Sequence, residues 1–132
     1  MRPLGRVIVV SIALLSASCG DASTIELDAE STMTDLRFVV SANGRPARIA
    51  AFRVDRCDAR GSPAPESHWL TLAPDTAETI SRITYGSPPP GWRSVQGPQP
   101  MAPGCYRAAL ANAAPLEFDV RAEGQIRARR ER

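Results

Sequence analysis

Hydrophobic and polar positions alternate along much of the chain, which is the pattern of β-strands with one buried face. Residues 36–42 place Leu, Phe and Val on one face and end at Asn43-Gly44, a dipeptide typical of tight turns. Residues 48–54 resume the alternation after that turn. The two runs therefore predict a β-hairpin.

A second hairpin is predicted near the end of the chain, where residues 116–120 alternate cleanly and residues 126–128 follow a short turn. Three further runs have strand character: residues 68–73, 79–85 and 105–110. Since no other stretch beyond the first twenty residues sustains helical spacing, the fold class predicted is all-β. Six to seven short strands indicate a small immunoglobulin-like β-sandwich, with a small β-barrel as the alternative.

Residues 86–104 contain six prolines and four glycines, a composition that excludes a central strand. We expect a long loop there, with polyproline character over residues 88–90. Aromatic residues and prolines on a loop offer rigid contact area at low entropic cost, so this loop is the candidate partner surface. Its candidate residues are Tyr85, Pro88, Pro89, Pro90 and Trp92. The competing interpretation is that Trp92 caps one end of the sandwich.

The first eighteen residues have the pattern of a secretory signal peptide. Arg2 and Arg6 precede an apolar run over residues 7–15, and small residues follow it. A transmembrane helix needs about 20 apolar residues, and Asp21 arrives too early for that. The sequence therefore predicts export of the chain after cleavage.

The run LLSASC, which ends at Cys19, resembles the lipobox of bacterial lipoproteins. This resemblance implies that Cys19 becomes the lipidated N-terminus, although an ordinary signal peptidase could also cleave before it. The chain has three cysteines, and an odd number in an exported protein leaves one unpaired. Lipidation of Cys19 leaves Cys57 and Cys105 to form a disulfide, which we expect to lie at strand ends where it could tie two sheets.

The predicted organisation has three parts: a signal peptide over residues 1–18, a lipidated acidic tether over residues 19–35, and a β-sandwich domain over residues 36–132. A short strand could lie at residues 25–27 within the tether. By resemblance to the sorting pattern of lipoproteins in double-membrane bacteria, Gly20 after the cysteine lacks the aspartate that retains a lipoprotein in the inner membrane, so we expect the outer membrane, facing the periplasm or the cell surface. The arginine cluster over residues 127–132 is either a frayed tail or a contact to anionic lipid.

Composition and motifs favour a non-catalytic protein without cofactor or metal. The formal charge is only +2, which argues against a nucleic-acid partner. His68 is the only histidine, and neighbouring Ser67 would point to the opposite face of a strand. We expect His68 to lie at the surface or rim. Cys57, Cys105 and His68 are too few ligands for a structural zinc site, and no nucleotide-binding or calcium-loop motif is present.

One longer pattern resembles small bacterial lipoproteins of presumed β-sandwich fold. It consists of Ile83, Tyr85-Gly86, Pro90-Gly91-Trp92 and Pro103-Gly104-Cys105-Tyr106. The resemblance implies no activity. We therefore expect an envelope lipoprotein that binds the membrane through its lipid and acts as a binding or structural module for an envelope protein, with no small-molecule substrate evident. The alternative is a small inhibitor of an extracellular or periplasmic hydrolase.

Overall fold

The computed structural model describes residues 23–57, 67–111 and 113–129, and within them the chain forms strands and no helix. The all-β prediction is confirmed, and the described residues hold nine strands rather than six or seven. The strands are β1 (Ser23–Leu27), β2 (Arg37–Ala42), β3 (Ala51–Arg56), β4 (Trp69–Leu72), β5 (Arg82–Thr84), β6 (Arg93–Gln96), β7 (Gly104–Leu110), β8 (Leu116–Val120) and β9 (Ile126–Ala128).

The strands form two separate antiparallel sheets rather than a closed barrel. One sheet has the order β1-β2-β5, and the other has the order β6-β4-β3-β7-β8-β9. The pairing β1-β2-β5 corresponds to strands A-B-E of an immunoglobulin-like sandwich, and β4-β3-β7-β8 corresponds to C′-C-F-G. Strands β6 and β9 extend the larger sheet by one strand at each edge.

Aromatic side chains from both sheets meet in the core. The ring of Phe38 on β2 lies 5.1 Å from that of Phe52 on β3 and 5.6 Å from that of Phe118 on β8, measured between centroids. All three side chains are fully buried. The alternation that predicted strands also places these rings inward, and each such burial stabilises the fold by about 1.5–3 kcal/mol.

The hairpin predicted between residues 36–42 and 48–54 is wrong. Strand β2 pairs with β1 and β5, whereas β3 pairs with β4 and β7, so the two runs belong to different sheets. Alternation identifies a strand with one buried face, but it carries no information about which strand is the neighbour. The hairpin of β8 and β9, by contrast, is confirmed.

The Asn43-Gly44 turn itself forms as expected. Both residues have positive φ, at 54° and 75°, which is the requirement of a type I′ turn. Ala42 and Arg45 exchange backbone hydrogen bonds across it, at 2.8 and 3.1 Å. After this turn only Ala47 pairs back toward the first sheet before the chain crosses to the second.

The described part of the acidic segment belongs to the folded domain. The short strand expected at residues 25–27 is present and longer, since β1 pairs with β2 along its whole length. The connection that follows is also held, because the backbone N–H of Met33 donates to the carbonyl of Gly124 at 3.2 Å. The sandwich therefore includes residues 23–35, which were assigned to the tether.

Candidate functional site

The proline-rich segment, residues 86–104, closes one side of the sandwich. It leaves β5 at the edge of the smaller sheet and enters β6 at the edge of the larger one. The sequence predicted a loop over all of residues 86–104, but residues 93–96 form strand β6. This strand lies at a sheet edge, as the proline content requires, and it carries a bulge opposite Leu70 and Thr71.

Tyr85 stands at the entry to this segment and is partly buried. Its hydroxyl donates to the carbonyl of Gln99 at 2.5 Å, and its ring packs edge-on against Trp69 at 5.2 Å. Burial raises the pKa of the Tyr85 phenol well above its ordinary value of 10.0, and the neighbouring Tyr106 adds to the rise. Tyr85 thus anchors the segment through its hydroxyl group.

Trp92 does not project from the segment. Its side chain is only 9% exposed and belongs to the hydrophobic core. The backbone N–H of Trp92 donates to the carbonyl of Pro89 at 3.1 Å, which makes residues 89–92 a tight turn. The burial of Trp92 agrees with the competing interpretation, that it caps one end of the sandwich, while a contact of this segment with a partner stays a prediction.

The three prolines differ in their exposure. Pro90 is exposed, while Pro88 and Pro89 are half-buried. Val95 on β6 is the large hydrophobic side chain that the described residues expose most, at 50%. Pro90 and Val95 are part of the apolar area that this segment presents to solvent, and Pro98, Pro100, Ala102 and Pro103 are exposed as well.

His68 is buried, with 7% exposure, so its assignment to the surface or rim is wrong. Its Nε2 lies 2.9 Å from the carbonyl oxygen of Pro100. Because a carbonyl can only accept, Nε2 must carry the proton in this contact. The carbonyl of His68 in turn accepts from the backbone N–H of Gln99 at 2.9 Å. His68 therefore binds the proline-rich segment through both its side chain and its backbone.

Tyr106 provides the other anchor of the segment. Its hydroxyl donates to the carbonyl of Ala102 at 2.7 Å and accepts from the N–H of the same residue at 3.0 Å. A tyrosine near the start of the corresponding strand fastens the preceding corner in immunoglobulin domains in the same way. The Arg56 guanidinium lies over the Tyr106 ring, 5.6 Å from its centroid.

The predicted disulfide between Cys57 and Cys105 is present, with 5.1 Å between the Cα atoms. Cys57 follows β3 and Cys105 lies in β7, which are neighbours in the larger sheet. The backbone N–H of Cys57 also donates to the carbonyl of Cys105 at 2.9 Å. The bond therefore joins two strands of one sheet, and the expectation that it could tie the two sheets is corrected.

The outer face of the larger sheet carries paired charges. Arg53 binds Asp55 at 2.8 Å, and cross-strand pairs join Arg107 to Glu117 and Arg129 to Asp119. Side-chain hydrogen bonds with Asp119 raise the pKa of the Arg129 guanidinium. Exposed pairs of this kind contribute little to stability because solvent screens them, but they occupy the carboxylates.

Within residues 23–57, 67–111 and 113–129, no three His, Cys, Asp or Glu side chains lie close enough to hold a metal ion together. Over the same residues there is no helix of the length and hydropathy needed to span a membrane. The larger grooves are open and lined by both polar and apolar atoms. The groove between β1 and the start of β8 has about 480 Å³, and it is lined in part by Glu26, Glu117 and Arg129.

The predicted signal peptide and Cys19, the predicted site of lipid attachment, lie outside the described residues, as does Glu66 beside Ser67 and His68. Neither a family model nor a curated protein nor a solved structure matches the chain. The site therefore has to be interpreted from its own chemistry.

Sequence reasoning missed the hydrogen bonds by which His68, Tyr106 and Gln96 help to fix the segment. The amide oxygen of Gln96 accepts from the backbone N–H of Ser67 at 3.0 Å. Trp69 is similarly fixed, because its indole N–H donates to the Ser94 hydroxyl at 3.0 Å. These contacts join residues at least 25 positions apart, and no local pattern encodes them. Only the tyrosine just after a strand corner, known from immunoglobulin domains, was a usable signal.

Proposed function

We propose that this chain is an exported lipoprotein, anchored to the membrane through Cys19, whose sandwich serves as a non-catalytic binding or structural module of the cell envelope. The Cys57–Cys105 disulfide is the observation that carries the proposal. Disulfides persist in oxidising compartments and are rare in the cytosol, so this bond supports export. It also uses two of the three cysteines and leaves Cys19 for lipid.

A binding role is supported by the rigidity of the proline-rich segment. His68, Tyr85 and Tyr106 fasten it at three carbonyl groups, those of Pro100, Gln99 and Ala102. A surface that is ordered before it meets a partner loses little conformational entropy on binding. Exposed Val95 and Pro90 are the apolar contacts that such a partner would cover.

The partner class that fits is an envelope protein rather than a small molecule. The segment presents to solvent the edge strand β6, three of whose four residues are exposed, whereas small-molecule sites are concave and mostly apolar. By resemblance to lipoprotein sorting, Gly20 after the lipidated cysteine favours the outer membrane.

Cell fractionation tests the anchoring. The parent chain should sediment with membranes and dissolve in detergent, while Cys19→Ser should either become soluble in the periplasm or stay unprocessed. A parent chain found free in the periplasm would contradict the proposal.

Affinity capture from detergent-solubilised envelopes tests the binding role. Val95→Asp places a charge on the exposed side of β6 and should abolish capture of a specific envelope protein. Ala122→Asp, on the exposed turn between β8 and β9, is the matched control and should capture as the parent does. Equal capture by both variants would exclude the segment as the binding surface.

The second candidate function is inhibition of an extracellular or periplasmic hydrolase. The exposure of Val95 on a segment held by hydrogen bonds favours it, because a preorganised contact residue loses little conformational entropy when it binds an enzyme. In that case the captured protein would be a hydrolase whose activity falls on addition of the parent and not of Val95→Asp.

A further inference from the structure

We propose that the end of the sandwich carrying Ser23 lies against the membrane, where Arg45 and Arg48 contact anionic lipid headgroups. This inference rests on the lipid at Cys19 put forward above, and it adds the orientation of the domain and the chemistry of the surface it meets.

The length of the connection limits where the domain can lie. Cys19 and Ser23 are four residues apart in the sequence, and a fully extended chain of that length spans about 14 Å. Strand β1 begins at Ser23, which is already paired with Ala42 of β2. A lipid on Cys19 therefore keeps Ser23 within about 14 Å of the bilayer surface.

Strand register shows which residues share this end of the sandwich. Ser23 is bridged to Ala113, just beyond β7, and lines a groove of about 320 Å³ with Arg48, Asp75 and Ala111. Arg45 closes the type I′ turn on Ala42, the pairing partner of Ser23.

The opposite end of the sandwich holds the disulfide. Strand β3 begins and strand β7 ends near Ser23, since Ala50 and Leu110 line the same groove as Ser23. Cys57 follows the last residue of β3 and Cys105 lies at the start of β7, so both cysteines are at the end of the sandwich away from Ser23. The turn between β8 and β9 lies there too, since Gly124 accepts from the N–H of Met33 in the connection after β1.

The two arginines are suited to bind phosphate groups. Both are exposed, and within the described residues neither has a carboxylate within 4 Å, in contrast to the paired arginines of the larger sheet. Asp75 lines the same groove as Arg48, and its single negative charge leaves Arg45, Arg48 and Asp75 with a net positive charge. An exposed guanidinium can bind a phosphate with two parallel hydrogen bonds. Near an anionic surface each arginine should favour the docked domain by about fivefold.

The test uses the full lipidated protein in vesicles of phosphatidylcholine and phosphatidylglycerol. A nitroxide label is attached to the new thiol of Ala111→Cys, at the Ser23 end of the sandwich, or of Ala122→Cys, at the opposite end. Both positions are exposed. Collision of each label with a water-soluble nickel chelate is measured in vesicles and in detergent micelles. Mass spectrometry of the same preparations reports the acyl group on Cys19.

We expect the label at position 111 to be shielded from the chelate in vesicles and the label at position 122 to remain accessible. Reversal of both charges in Arg45→Glu/Arg48→Glu should lower the ratio of docked to undocked domains by at least about 30-fold. The matched variant Arg121→Glu/Arg127→Glu, with the same change of charge at exposed positions nearer the opposite end, should leave the shielding unchanged.

The two proposals fail in different ways. Acylated protein whose labels are equally accessible, or whose shielding survives reversal of Arg45 and Arg48, would overturn the membrane contact and leave the lipoprotein assignment intact. Protein without acyl mass on Cys19 would overturn both.

Discussion

The imidazole Nε2 of His68 lies 2.9 Å from the carbonyl oxygen of Pro100, a residue 32 positions further along the chain. This hydrogen bond joins the proline-rich segment to the residue that directly precedes β4. The ring of His68 also packs edge-on against the ring of Tyr106, with 5.2 Å between their centroids. His68, the only histidine of the chain, thus donates its ring N–H to a backbone carbonyl and has a structural role.

Replacement of His68 by Ala should lower the free energy of unfolding by about 1–3 kcal/mol, because the buried contact to Pro100 is lost. His68→Gln keeps an N–H donor of similar reach and should lose less. Urea unfolding measures both variants. If His68→Ala is as stable as the parent, His68 does not fasten the segment.

Removal of the disulfide should strongly destabilise the domain. Cys57 and Cys105 are separated by 48 positions, and closing a loop of that size stabilises the folded state by about 4 kcal/mol in the chain-entropy model. The Cys57→Ala/Cys105→Ala variant should therefore melt well below the oxidised parent, and the parent in reductant should approach the variant. Alkylation of both cysteines in denatured, non-reduced parent would show that the bond is absent.

Trp92 and Val95 should respond in opposite ways to truncation. Trp92→Ala removes a buried side chain and should cost about 3–5 kcal/mol of unfolding free energy. Val95→Ala alters an exposed side chain and should change stability by less than about 0.5 kcal/mol. Thermal unfolding of the two variants tests this contrast, and a stable Trp92→Ala protein would mean that the indole is not part of the core.

The stability of the domain should fall at alkaline pH through Tyr85. Its pKa in the folded protein lies above the ordinary value of 10.0, so the folded state retains a proton that the unfolded chain releases. The contribution of Tyr85 is fully present below pH 10 and is lost as the pH rises toward the pKa of the folded state. Tyr85→Phe should flatten the decline between pH 9 and 11 in urea unfolding, and an identical decline in both proteins would contradict the assignment.

The sequence predicted the strands far better than their partners. Alternation located β2, β3 and β8 because each has one buried face, and it predicted the β8–β9 hairpin because a short turn joins the two. It failed for β2 and β3, since the Asn43-Gly44 turn is formed but the chain then changes sheets.

The candidate site was less accessible to prediction from the sequence. Strand β6 was missed because three of its four residues are exposed and prolines surround it. The role of His68 depends on Pro100 and Gln99, which the sequence places some thirty residues away. By contrast, the pairing of Cys57 with Cys105 followed from the odd number of cysteines together with the lipobox resemblance at Cys19, because that resemblance leaves only these two residues to pair.

Intact-mass and peptide mass spectrometry of the membrane-associated protein tests the central claim most directly. The account predicts that the mature chain begins at Cys19 and that this residue carries acyl mass, with Cys57 and Cys105 recovered as one disulfide-linked pair. A mature chain that begins elsewhere, or that carries Cys19 as a free thiol, would contradict the assignment as a lipoprotein.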